Sequence, residues 1–77
     1  MHWYKFQPEG STDLIVCHAK RKKDIESVLD INLRFLGCVD KDKIGALRSC
    51  QYHTVFNSVH KMLSIMVEVA PHLVKTI

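Results

Sequence analysis

The residues with most latitude for chemistry in this chain are three cysteines and five histidines. Cys50 and His53 stand three apart, a usable ligand spacing for zinc, and Cys17 with Cys38 can complete a tetrahedral set of thiolates and imidazole. No Cys-x-x-Cys pair accompanies them. A zinc-stabilised domain on Cys17, Cys38, Cys50 and His53 is therefore an alternative, and the simpler account is small half-buried thiols behaving as hydrophobes. The expectation is no metal and no cofactor. Cys17 beside His18 looks like a nucleophile with its base, but adjacent strand residues point to opposite faces, and the two groups must meet within hydrogen-bond reach. There is no nucleophile elbow and no phosphate-cradling loop, and the chain has only 3 glycines. These absences predict a protein that is not an enzyme and has no small-molecule substrate.

The strongest electrostatic feature is the run Lys20, Arg21, Lys22 and Lys23. Adjacent cations of this kind neutralise phosphates and release counterions, or meet an acidic protein surface. Asp24 and Glu26 follow at once and dilute the patch. A helix-turn-helix over residues 24–50 is conceivable, yet its second helix offers few base-reading side chains. Nucleic-acid binding through Lys20 to Lys23 is thus an alternative function, and a solvated connector is the bland one.

The elements that must position these residues follow from patterning. His2 to Phe6 mixes aromatic with polar residues, and Asp13 to His18 has a β-branched apolar centre. Between them lies Gln7-Pro8-Glu9-Gly10-Ser11-Thr12, dense in turn residues. The two runs predict a hairpin. Ile25, Val28, Leu29, Leu33 and Leu36 recur at spacings of three and four, which predicts an amphipathic helix over 24–36 with Gly37 as its left-handed stop. A second helix is expected over 40–50, with Asp40 as N-cap and Gly45 as a weak point.

Tyr52, Phe56, Val59, Leu63, Met66, Val67 and Ala70 continue the helical spacing. They predict a last helix over about 54–70, ended by Pro71. A strand over Ser64 to Ala70 is the rival template, because Ile65, Val67 and Val69 have β character. The tail 72–77 is expected to be loosely held. The resulting expectation is a small single α+β domain over 1–77, an N-terminal β-hairpin packed on two or three α-helices, written ββαα or ββααα.

The apolar stripe of that last helix looks broader than a hairpin and one short helix need for cover. Surplus apolar surface marks an interface, so Val55, Met62, Ile65 and Val69 are the expected partner contacts. Trp3 and Tyr4 join them, since neighbours on a strand cannot share a face and Trp and Tyr are enriched in binding hot spots.

Composition bounds the rest. With 47% hydrophobic and 25% charged residues the chain reads as an ordinary folded domain. Net charge is +3, short of a dedicated nucleic-acid binder. No N-terminal apolar h-region of a signal peptide is visible, and no apolar run approaches the roughly 20 residues of a membrane span. An odd number of cysteines suits reduced thiols in the cytoplasm. The functional expectation is a small non-catalytic regulatory or inhibitory protein that binds a protein partner, itself included as a homodimer.

Overall fold

A computed structural model describes residues 1–30 and 32–75; Ile31, Thr76 and Ile77 lie outside the described residues. The chain runs β1 (His2–Pro8), β2 (Leu14–Ala19), α1 (Lys22–Glu26), β3 (Leu33–Val39), a 3-10 turn (Lys41–Lys43), α2 (Ile44–Leu47), β4 (His53–Phe56), α3 (Val59–Val69) and a 3-10 turn (Pro71–Leu73). The strands form one mixed sheet in the order β3-β1-β2-β4. β1 is antiparallel to both β2 and β3, and β4 adds parallel to β2. This overturns the hairpin-on-helices expectation: half of the sheet comes from segments read as helix.

The β1–β2 turn forms where Pro8 and Gly10 place it. The Ser11 N–H donates to the Pro8 carbonyl at 3.1 Å, and Gly10 takes a φ of 77° that a side chain disfavours. Along β1 the side chains alternate, with Tyr4, Phe6 and Pro8 buried between half-exposed Trp3, Lys5 and Gln7.

The helix expected over 24–36 is instead five residues of α1 followed by β3. Asp24 closes α1 at its start, accepting from the Arg21 N–H at 3.2 Å. Beyond it, Leu33 and Phe35 pair with Pro8 and Phe6, so strand alternation outcompetes helical spacing once β1 offers an edge. Gly37 does have a positive φ, of 112°, but inside β3 and not at a helix end. Lys5 pairs with Gly37 and Phe6 with Phe35, which leaves Leu36 unpaired as a bulge.

Residues 40–50 make only the 3-10 turn and the four-residue α2. Asp40 precedes the turn without a side-chain cap bond. The helix expected from about residue 54 splits at Asn57-Ser58. Thr54, Val55 and Phe56 form β4, and Ser58 caps α3, its hydroxyl accepting from the Lys61 N–H at 3.1 Å. Ser64 to Val69 is helical, and α3 stops before Pro71.

The core lies on one face of the sheet. Tyr4, Phe6, Ile15, Cys17 and Phe56 meet Ile25 and Leu29 near α1, and Met62 and Met66 from α3. Leu73 and Val74 pack against this cluster, and Asp30 and Lys75 bond the Leu73 and Val28 carbonyls. Residues 73–75 are thereby tied to the body. On the opposite face Val16 and Ile44 are buried apart from the main cluster, with α2 packed beside β4.

Candidate functional site

Register decides first what the cysteines can do. Cys17 on β2 and Cys38 on β3 both pair with Tyr4 of β1, so they sit two strand spacings apart, about 10 Å. A shared zinc needs both sulfurs within about 2.3 Å of the metal. His53 pairs with Leu14 on the face opposite Cys17, and Cys50 is exposed in the loop before β4. Among the described residues no group of three or more His, Cys, Asp or Glu gathers to hold a metal. The four candidate ligands therefore do not converge.

Cys17 and His18 point to opposite faces, as strand geometry requires. The Cys17 thiol donates to the His18 carbonyl at 3.7 Å, while the His18 ring stacks on Trp3 with centroids 4.5 Å apart. Burial pushes the Cys17 thiol up to about 12, so it stays protonated and is a poor nucleophile.

The basic run is divided. Arg21 is held by Asp24, with Nη2 3.1 Å from Oδ1. The Lys22 Nζ lies 4.7 Å from the centroid of Phe35, over its ring. Lys20 and Lys23 are exposed.

The expected partner residues scatter. Tyr4 and Met62 are core residues, Met62 with no exposure at all. Both are corrected from surface to interior: Tyr4 faces the helices from a central strand, and Met62 points from α3 into the sheet. Trp3 is half-buried against His18, and Val55 is half-buried on the far face. Of the expected contacts, Ile65 and Val69, 37% and 72% exposed, keep apolar surface open on α3, as Val67 also does.

Ile65 and Val69 are one helical turn apart and border a groove of about 580 Å³. Its floor reaches Ile15, Phe56 and Met66 of the core, and one wall is the β1–β2 turn with Glu9 and Asp13. His72 and Leu73 close the far end of the chain against it. Further depressions lie over the β1–β2 turn and the start of β3, beside Leu29 and Lys75, and at Lys5 and Val39, none of them reaching α3. The volume and the mixture of apolar floor with a few polar groups fall in the range of ligand-binding clefts. Sequence reasoning found Ile65 and Val69 but missed Glu9, Asp13, Ile15 and Phe56. No local signal marks those four, because the groove exists only once β2, β4 and α3 meet. Exposed Phe35, Leu36 and Val67 were missed as well.

Comparison of the chain with protein-family models, curated proteins and solved structures finds no match. No helix among the described residues is long and apolar enough to cross a membrane.

Proposed function

We propose that this protein is a non-catalytic binding protein that regulates or inhibits a protein partner by docking it in the groove beneath the C-terminal half of α3. The observation that carries this reading is the pairing of Ile65 and Val69, exposed at 37% and 72%, with a groove floored by core residues. Apolar side chains left open beside a concavity gain from being covered, at about 25 cal/mol per Å² removed from water. The exposed thiols of Cys38 and Cys50 suit a reducing compartment, and the reading places the protein in the cytoplasm.

The test compares baits in a host lysate. Val69→Lys and Ile65→Lys put a charge on the groove wall at exposed positions and leave the core untouched. A protein retained by the wild-type chain and reduced at least tenfold on both variants is the expected result. Identical retained sets on all three baits would contradict the reading.

Nucleic acid is the second reading. Its support is that Lys20 and Lys23 are exposed and that Lys22, between them in sequence, lies over the half-open Phe35 ring. Titration of labelled single-stranded DNA with the wild type and a Lys20→Ala/Lys23→Ala variant separates it, since true phosphate contacts lower the salt slope by about one each.

A further inference from the structure

We infer that the groove takes an apolar peptide segment that carries lysine or arginine beside its apolar anchors, a conclusion that rests on the protein-binding reading above. The inference comes from charge. Glu9 and Asp13 are both exposed and both line the groove. Among the described residues the only salt bridge is Arg21 to Asp24, so neither rim carboxylate is in contact with a cation of the chain, and Arg34 shares only the neighbouring depression with Glu9. Asn32 Nδ2 stands 3.5 Å from Glu9, a neutral and marginal contact.

The placement is also polarised. Asp13 immediately precedes β2 and Lys20 immediately follows it. The strand between spans about 20 Å. A chain of net charge +3 thus keeps its basic run at one end of the sheet and sets two carboxylates outside any salt bridge at the groove. Exposed rim charges on an apolar site steer an oppositely charged partner and select its register.

An extended or helical segment with two apolar anchors and a flanking cation meets the floor and the rim together.

A random twelve-residue peptide library displayed on phage, panned at 50 mM salt, tests this on three full-length baits. These are the wild type, Val69→Lys, and Glu9→Gln/Asp13→Asn, each checked by circular dichroism. The wild type is expected to enrich peptides that combine two large apolar residues with Lys or Arg. The double variant is expected to enrich the apolar pair without the cation. The synthesised wild-type winner, followed by fluorescence anisotropy, weakens by about 2- to 5-fold per carboxylate neutralised and at least tenfold on Val69→Lys. Groove-dependent peptides with no excess of Lys or Arg overturn the cation and leave the protein-binding reading standing. Peptides indifferent to Val69→Lys, or no enrichment at all, overturn both. A dimer in light scattering that Val69→Lys dissociates assigns the groove to a second copy and overturns the inference.

Discussion

Cys17 shows at the scale of one residue how position overrides residue type. Beside His18 its side chain invites a reading as a nucleophile, yet it lies at 0% exposure on the inner face of β2. Burial disfavours the thiolate and pushes the thiol from 9.0 up to about 12. Iodoacetamide is expected to modify Cys38 and Cys50 in the native protein and Cys17 only on unfolding, as read by mass spectrometry of peptides. Linkage gives a second outcome. The folded state holds the proton more tightly than the unfolded state, so this contribution is whole below pH 9 and declines between about pH 9 and 12. Urea denaturation over that range should show stability falling with pH. Cys17→Ala should remove that part of the slope.

The pairing of β1 with β2 was legible, because Pro8 and Gly10 mark the turn and aromatic and β-branched residues flank it. β3 was not. Ile25, Val28, Leu29, Leu33 and Leu36 fit a helical stripe, and Leu33 with Phe35 fits strand alternation equally well. The choice depends on β1, some thirty residues earlier, which no local window contains. β4 was missed for a different reason. Its four residues continue the apolar spacing of α3, and the N-cap at Ser58 was the available sign that a helix starts afresh. Gly37 needs its positive φ at the β3 bulge and not at a helix end. Gly37→Ala should cost about 1–2 kcal/mol by urea denaturation. A Cβ there meets nothing within 4 Å, so the loss is one of backbone conformation and not of a clash. An unchanged midpoint would mean the bulge can relax.

At the level of the whole molecule, the sheet order β3-β1-β2-β4 decides the candidate site. It sets β4 beside β2 and carries α3 across the inner face, so Ile15, Phe56 and Val69 from three separate segments line one groove. A sequence reading could find surplus apolar residues on the last helix. It could not separate Met62, which the sheet covers, from Val69, which it leaves open. It also could not bring Glu9 and Asp13 to the same rim.

The most direct test of the groove as docking surface is an amide chemical-shift titration of the full chain with the synthesised wild-type peptide. The account predicts that the largest shifts fall on Ile15, Thr54 and residues 65–70, with Glu9 and Asp13 following and Lys20 to Lys23 unmoved. Shifts centred on Lys20 to Lys23 or on Trp3, with Ile65 to Ala70 unchanged, would contradict it.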